Sequence, residues 1–246
     1  MKLHHIHITL LAAVMLLVPA ALRAQQNNNE TFSGGWGIGF QLGAGGMLPT
    51  GSLGDDLKGC ALFTGGINAE YASLRFKADV AYGQPSFKND NPYHIVDETG
   101  RDIQLNATAN PTLLGFGLQA GYTVWRHGKF SITPCAGINV NRISWDLNDI
   151  KWEKPEGETE EKPTIEKVIG THENSVGWMA GVDFDIRLKG KIIDAPFGDG
   201  NAHYTSSLRI TPFAAGASYG NLNPSVKGAC FGVTVCYAGF LRMLNY

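Results

Sequence analysis

The sequence predicts an all-β chain that closes into an eight-stranded antiparallel up-and-down transmembrane β-barrel. Three observations support this prediction. Apolar residues recur at every second position in eight separate segments, which is the period of a β-strand. An apolar leader precedes these segments, and long polar connections alternate with short ones, as in barrels that span an outer membrane. We expect the barrel to occupy residues 31–246 of the 246-residue chain.

The first 24 residues have the layout of a secretory signal peptide. Lys2 is followed by an apolar core from Ile8 to Ala21, and a polar stretch begins at Gln25. This core is too short for a membrane-spanning helix. We expect cleavage after Ala24, export of the chain, and a short periplasmic segment at residues 25–30. No cysteine stands at the cleavage point, so a lipid anchor is not expected.

The first strand lies in the glycine-rich stretch Gly34–Gly46. Trp36, Ile38, Phe40 and Leu42 share one face, and the opposite face is mostly glycine. A phosphate-binding loop would need a strand before its glycines and a helix after them, and here the glycines lie inside a strand. We interpret them as inward positions, because an eight-stranded barrel leaves little room for interior side chains.

Seven further segments alternate in the same way. In chain order they are FTGGINAEYA (63–72), LRFKADVAY (74–82), LLGFGLQAGYTVW (113–125), FSITPCAGINVN (130–141), VGWMAGVDFDIRL (176–188), LRITPFAAGAS (208–218) and FGVTVCYAGFLRMLNY (231–246). Two of them contain an ITP motif, whose proline is expected to mark a bend or bulge. Segments of this length are long enough to cross a membrane at a tilt.

The connections between these segments alternate between tight and long. Ala72–Ser73 and Arg126–Lys129 read as tight turns, whereas extracellular loops are expected near 48–59, 84–111, 146–174 and 219–227. Short turns on the periplasmic side and longer loops outside are typical of outer-membrane barrels. The stretch 189–207 departs from this rule, because a long connection stands where a short one is expected.

The composition of the two faces favours a barrel in lipid over a soluble fold. A soluble β-sandwich or a lipocalin-like barrel also alternates, but its outer face would carry many more Lys and Glu residues. Here one face is aromatic and β-branched, and the other is mostly glycine and small polar residues. A formal net charge of −2 gives no indication of nucleic-acid binding.

Together, the leader, the glycine and aromatic first strand, the loop PTGSLGDDLKG, the eight alternating strands and the C-terminal Tyr246 resemble the small outer-membrane β-barrel (porin-family) proteins of Gram-negative bacteria. The resemblance covers nearly all of the mature chain. It implies residence in the cell outer membrane, contact with its lipid and lipopolysaccharide, and insertion by the barrel-assembly machinery. It implies an architecture and a location but no activity. Tyr246 is out of phase with the rest of its strand unless a bulge intervenes.

Charged residues on the inward face are expected to form a salt-bridge network, because buried charges persist only when they are paired. The alternative is an ion-conducting path along the same charges. The predicted network consists of Glu70, Arg75, Lys77, Asp79, Asp183, Asp185, Arg187 and Arg209.

No catalytic constellation, cofactor site or metal site is recognisable in the sequence. Candidate groupings are His94 with Asp97, His172 with Glu173 and Ser175, and His203 with Ser206, and none has a known triad spacing. Cys60, Cys135, Cys230 and Cys236 lack metal-ligand spacing and are compatible with disulfides or with small buried side chains. We therefore expect a protein that is not an enzyme.

The segment from Trp145 to Ser175 is the most distinctive surface feature. Its charges are mainly acidic, and Ile150 with Trp152 could pair with Ile165 and Ile169 in a hairpin above the membrane. A plain solvated loop is the alternative. The expected partner-binding residues are Trp145, Trp152, Glu153, Glu160, Glu161 and Ile165. The function expected is that of a surface or scaffold barrel that binds a protein partner; the alternatives are a narrow porin-like channel and an accessory subunit of a secretion or uptake complex.

Overall fold

The structure, a computed structural model, describes residues 36–88, 94–96, 102–104, 106–107, 111–153, 162–194, 201–219 and 226–243. The predicted signal peptide, the segment 25–30 and Tyr246 lie outside these ranges.

Strands dominate the described chain. The eight long strands are β1 (Trp36–Pro49), β2 (Cys60–Tyr71), β3 (Leu74–Gly83), β7 (Thr112–Tyr122), β9 (Phe130–Glu153), β10 (Lys162–Asp194), β11 (Asn201–Tyr219) and β12 (Val226–Met243). The shorter elements are helix α1 (Ser52–Asp56) and strands β4 (His94–Val96), β5 (Asp102–Gln104), β6 (Asn106–Ala107) and β8 (Trp125–His127). No helix among the described residues is long and apolar enough to cross a membrane.

The eight long strands form a closed ring in which every pairing is antiparallel. The order around the ring is β1, β2, β3, β7, β9, β10, β11 and β12, and β12 pairs back onto β1. Both partners of β1 remain in register along almost its whole length, from Gly37↔Arg242 to Pro49↔Cys230 on one side and from Trp36↔Tyr71 to Met47↔Cys60 on the other. The prediction of an eight-stranded antiparallel β-barrel is confirmed.

The two ends of the barrel differ. At one end, called the turn end here, Ala72–Ser73 joins β2 to β3, and β8 folds back on β9 through Gly128–Lys129. The other end, called the loop end, carries α1 and the longer connections. The expectation of a long connection at 189–207 is wrong, because β10 continues to Asp194 and pairs with β11 from Asn201 onwards. Only residues 195–200 separate these two strands.

Strands β9 and β10 extend beyond the rim at the loop end. The pairing of β7 with β9 ends at Thr112↔Ser144, whereas β9 and β10 stay paired as far as Glu153↔Lys162. At the usual rise along a strand, the nine residues from Trp145 to Glu153 reach about 30 Å. This paired extension, residues 145–153 and 162–171, is called the projecting hairpin below.

The outer wall of the barrel is apolar and aromatic. Its side chains remain strongly exposed, as with Trp36 (61%), Leu42 (68%) and Val176 (71%). Comparable exposure extends around the ring: Ile38, Phe40, Leu48, Phe63, Ile67, Phe76, Val80, Phe116, Leu118, Ile138, Val140, Phe184, Phe231, Val233 and Val235. Such a continuous apolar surface exceeds what soluble monomers expose. The predicted assignment of the two faces therefore agrees with the geometry.

The glycines of β1 serve close contact between strands. A Cβ atom added at Gly43 would lie 2.6 Å from Cys236 Cα, and one added at Gly45 would lie 2.7 Å from Thr234 Cα. Both obstacles belong to the backbone of β12. Glycine is needed at these positions because the backbone of β12 lies too close to leave room for a Cβ atom. The limited room in the barrel interior is a second reason.

Candidate functional site

The lumen at the turn end is filled by charged side chains, and Arg75 on β3 is the most connected of them. Its guanidinium donates to Glu70 (Nε–Oε1, 2.7 Å) and to Asp183 (Nη1–Oδ2, 2.9 Å), and it also lies 2.9 Å from Asp185 Oδ2. Arg75 is only 4% exposed. The planar fork of donors on an arginine suits it to binding several carboxylates at once.

Asp183 on β10 is the buried centre of this arrangement. It accepts hydrogen bonds from Arg75, from Lys77 Nζ at 3.0 Å and from Thr211 Oγ1 at 2.8 Å. Its side chain is completely inaccessible to solvent. A buried carboxylate requires such compensation, because an unpaired charge in a low-dielectric interior is strongly unfavourable.

Arg209 on β11 connects a second set of groups. It donates to Asp185 (Nε–Oδ1, 2.7 Å), and its Nη1 donates to Gln41 Oε1 at 2.7 Å and to Asn68 Oδ1 at 3.3 Å. Gln41, Asn68 and Asp185 are all buried. Three strands, β1, β2 and β10, therefore meet at one guanidinium.

Arg242 on β12 was missing from the predicted network and belongs to it. Its Nη2 lies 3.1 Å from Glu70 Oε2, so Glu70 bridges Arg242 and Arg75. Arg242 shares the inward parity of Cys236 on the same strand, which was the available signal in the sequence. We define the lumen network as Glu70, Arg75, Lys77, Asp183, Asp185, Arg209 and Arg242.

The lumen network crosses the barrel. Arg75 and Lys77 on β3 reach Asp183 on β10, three strands away around the ring, and Arg209 on β11 reaches Asn68 on β2, again three strands away. With Asp79 included, equal numbers of cations and carboxylates lie in this part of the lumen. These ion pairs and hydrogen bonds cross the lumen in two directions, so their side chains form a packed layer that fills it. A filled interior is expected of a barrel with eight strands.

Two residues of the predicted set lie at the borders of this layer. Asp79 accepts from Gln41 and from Gln119 Nε2 (2.9 Å), on the loop-end side. Arg187 is half-buried and lines the turn-end cavity together with Arg126 and His203. The structure brings Glu70, Arg75, Lys77, Asp183, Asp185 and Arg209 into direct contact and places Asp79 and Arg187 on opposite sides of them.

The loop end is closed by an apolar cluster around α1. Leu53 and Leu57 are buried against Ile143, Ala217 and Tyr219, with Trp145, Phe87 and Cys230 beside them. Trp145 was expected among the partner-binding residues, but at the base of the projecting hairpin its side chain is turned into the barrel mouth. It is 4% exposed and packs edge-on against Phe87 with ring centroids 6.1 Å apart, because its position on β9 faces inward at the rim.

Helix α1 is held on both sides of the mouth. Thr50 N donates to Ala229 O on β12 at 2.7 Å, while Lys58 N donates to Ser86 O and Lys88 N to Asp56 O, both at 2.8 Å. Lys88 Nζ also donates to Gly54 O. Partial burial and the neighbouring Asp55 raise the pKa of Asp56. Helix α1 is therefore held across the mouth of the barrel from two sides. The sequence did not predict it, because a five-residue helix does not show in a pattern of alternating strand residues.

Within the described residues, cavities lie on both sides of the lumen network. The loop-end cavity has a volume of about 100 Å³ and lies between α1 and the lumen network. The turn-end cavity has a volume of about 70 Å³ and is lined by Arg126, Arg187, His203, Phe240 and Arg242, among others. The ion pairs lie between these cavities and separate them.

The remaining hairpin residues of the prediction are placed by backbone pairing. Ile165 lies opposite Ile150, and Glu153 opposite Lys162, whereas Trp152 lies opposite Pro163. Glu160 and Glu161 lie outside the described residues. The pairing of β9 with β10 makes the segment a hairpin of two strands.

Within the described residues, the candidate catalytic groupings do not come together. His172 is exposed, whereas Ser175 is 1% exposed and its Oγ accepts a hydrogen bond from Ser218 N. His203 lines the turn-end cavity and Ser206 does not. Residues three apart on a strand lie on opposite faces, which separates both pairs. Asp97 lies outside the described residues.

The four cysteines are free thiols. Cys135 and Cys236 are buried on the inward face, as the reading of small buried side chains predicts. Within the described parts of the chain, no group of three or more His, Cys, Asp or Glu residues is arranged to hold a metal ion.

Comparison with known proteins gives likeness of fold. No family model matches the sequence, and no curated protein matches it. Among solved structures, Neisserial surface protein A is 16% identical, with 84% of this chain and 97% of that chain covered and a TM-score of 0.37. The outer membrane protein OprG from Pseudomonas aeruginosa is 13% identical, with 87% and 98% covered and a TM-score of 0.41. A major outer membrane protein from Thermus thermophilus is 14% identical, with 84% and 99% covered and a TM-score of 0.36.

The fold that the sequence predicted is confirmed by the closed ring of strands. The strand pairing of this chain itself, closed from β12 to β1, carries the assignment. The class that fold and lumen define is a closed eight-stranded β-barrel with a charge-filled interior.

Proposed function

We propose that the protein is a non-enzymatic β-barrel of the outer membrane that presents the projecting hairpin to a protein partner. The apolar outer wall supports the membrane location, because closed barrels are the β-structures that satisfy every backbone group in lipid. In this orientation the turn end faces the periplasm and the loop end faces outward. Export by the signal peptide, contact with lipopolysaccharide and insertion by the barrel-assembly machinery are parts of the same proposal.

The projecting hairpin is the observation that carries the partner-binding role. β9 and β10 remain paired for about 30 Å past the rim, a length that serves no purpose in closing the barrel. One edge of β10 pairs with β9, and the other edge pairs with β11 from Met179 onwards. Among the described strands, none pairs with this second edge before Met179. An open strand edge can accept a strand from another protein, and this is the recognition mode we propose.

Two hairpin variants test this function. In the first, residues 147–169 are replaced by Asn-Gly, a favoured two-residue turn that joins the paired Asp146 and Gly170. In the second, only residues 154–161 are replaced by Asn-Gly, which keeps the strands up to Glu153 and Lys162. Both variants should fold, as judged by migration of unboiled protein on a gel.

Crosslinking in mild detergent, followed by identification of co-purifying proteins, is the measurement. The first variant should lose the partner that the wild type captures, and the second should retain it because the strand edge is intact. Undiminished capture by the first variant would contradict the proposal. Loss of capture in both variants would place recognition at the tip and contradict recognition by the strand edge.

A narrow channel for small solutes or ions is the second candidate function. The two cavities, of about 100 and 70 Å³, support it, because they lie in line within one lumen. Conduction would require the intervening ion pairs to separate. The conductance of the wild-type barrel in a planar lipid bilayer tests this candidate.

A further inference from the structure

Positive charge exceeds negative charge in the walls of the turn-end cavity. Among the described residues, the carboxylates that line it are Glu70 and Asp185. The cationic side chains that line it come from separate strands and turns around the ring: Arg75, Arg126, Lys129, Arg187, Arg209 and Arg242. A cavity lined mainly by one sign of charge concentrates ions of the opposite sign.

The lumen network does not balance this excess. Its cations are already matched in number by its carboxylates and Asp79: Arg75, Lys77, Arg209 and Arg242 against Glu70, Asp79, Asp183 and Asp185. Arg126, Lys129 and Arg187 are additional to this balance, and all three line the turn-end cavity. Arg126 lies close enough to Arg187 and Arg242 for their like charges to repel, while Glu70 attracts it. An anion placed between these arginines would relieve that repulsion.

Neutral hydrogen-bond donors complete the lining of the cavity. The hydroxyl-bearing residues Ser131, Thr205 and Ser207 line it, and so does His203. A guanidinium group has donors in a planar fork and no acceptor, and each hydroxyl supplies a further donor. Such a set of donors suits an anion that presents several oxygen atoms.

The volume of the cavity, about 70 Å³, limits the size of this anion. A water molecule needs about 10–15 Å³ of such a volume, so the cavity has room for about five water-sized groups. A tetrahedral oxoanion such as phosphate or sulfate, with its central atom and four oxygens, is of this size. Lys129 and Phe130 line the cavity and are exposed, so the cavity reaches solvent at the turn end.

We propose that the turn-end cavity binds a tetrahedral oxoanion such as phosphate, held by Arg126, Arg187 and Arg242. The excess of cations selects an anion over a neutral molecule, and the guanidinium forks favour oxygen atoms over a halide ion. The phosphate group belongs either to the free ion or to a larger phosphomonoester whose remainder lies in solvent at the turn end. This site lies at the opposite end of the barrel from the projecting hairpin, and the inference goes beyond the proposed partner-binding function.

Calorimetric titration measures the binding. Inorganic phosphate is titrated into the purified full-length barrel in a non-ionic detergent, with excess sodium chloride holding the ionic strength constant. Phosphate should bind saturably despite the chloride, and sulfate should compete with it for the same site. A parallel titration with glycerol 3-phosphate distinguishes the two sources of the phosphate group. Affinity equal to that of phosphate indicates a phosphomonoester, and affinity lower by roughly tenfold or more indicates the free ion.

Three variants, each with one positive charge removed, assign the binding to this cavity. Arg126→Gln and Arg187→Gln should each lower the affinity for phosphate by roughly tenfold or more, because a charge-assisted hydrogen bond is lost. Arg142→Gln is the matched control. It makes the same change in net charge at an exposed position whose Nε donates to Asn174 at the loop end, and it should bind phosphate like the wild type.

The outcomes are distinguishable. Each variant is first shown to retain the wild-type shift between boiled and unboiled protein on a gel, and Arg126→Gln keeps the test valid if Arg187→Gln fails to fold. No saturable binding of phosphate by the wild type would overturn the proposal, as would unchanged affinity in both cavity variants. An equal loss of affinity in Arg142→Gln would mean general attraction by net charge and would also overturn it. None of these results depends on the projecting hairpin.

Discussion

At the scale of single residues, Ala72 adopts a conformation that its side chain disfavours. It has a φ of 53° at the first position of the two-residue turn between β2 and β3. Glycine is preferred where the φ of a tight hairpin turn is positive, because it has no Cβ. We predict that Ala72→Gly raises the free energy of unfolding by about 1 kcal/mol, the cost of the left-handed region for a residue with a Cβ.

The measurement is urea unfolding of the barrel in lipid vesicles, with the slope against urea unchanged. Ser73→Gly is the matched control, because Ser73 has no positive φ and a glycine there only adds freedom to the unfolded chain. A gain in stability from Ser73→Gly that equals the gain from Ala72→Gly would contradict the argument.

Neighbouring glycines in β1 should respond differently to the same substitution. A Cβ at Gly45 meets the backbone of β12, whereas a Cβ at Gly46 has its nearest neighbour, Cys60 O, at 3.6 Å. We predict that Gly45→Ala destabilises the barrel by about 1–3 kcal/mol through overpacking, and that Gly46→Ala leaves its stability nearly unchanged. Unfolding midpoints of the two variants in the same vesicles provide the comparison.

The sequence could reveal these glycines only in part. Alternation of β1 residues was sufficient to place Gly43 and Gly45 on the inward face. It could not show which of them a neighbouring strand would approach, because that depends on how β12 closes the ring. Charged inward residues were predictable for the same reason, since parity along a strand is local. Their partners were not, because Arg75 meets Asp183 across 108 positions of sequence.

At the scale of elements, the lumen network joins β2, β3, β10, β11 and β12. We predict that Arg75→Ala destabilises the barrel by about 3–5 kcal/mol, because Glu70, Asp183 and Asp185 lose a shared partner while remaining buried. Arg142→Ala is the control. Arg142 is exposed and its Nε donates to Asn174, so its loss should cost less than about 1 kcal/mol. Equal costs for the two variants would show that the network contributes no more than a surface contact.

The alternation of apolar residues along the sequence could not predict the elements that depend on tertiary contacts. Helix α1 is only five residues long and is held by bonds to β12 and to the segment after β3. The inward turn of Trp145 depends on that helix, because Leu53 and Leu57 supply the apolar surface that buries it. The continuation of β10 to Asp194 was also not predicted. Lys189 and Lys191 are residues typical of a loop, and only their pairing with β11 makes them part of a strand.

At the scale of the whole molecule, two barriers in series close the lumen: α1 with its apolar cluster, and the lumen network beneath it. We predict that the wild-type barrel in a planar lipid bilayer shows no large, steady conductance, because eight strands packed with side chains leave no continuous water path. Replacing residues 51–58 by a glycine-serine linker removes the first barrier and should still give no porin-sized steps, since the cross-lumen ion pairs remain. If porin-sized steps appeared only in that variant, α1 would be the element that blocks conduction, and the lumen network would not block it. Such steps in the wild type would favour the channel function and contradict a filled lumen.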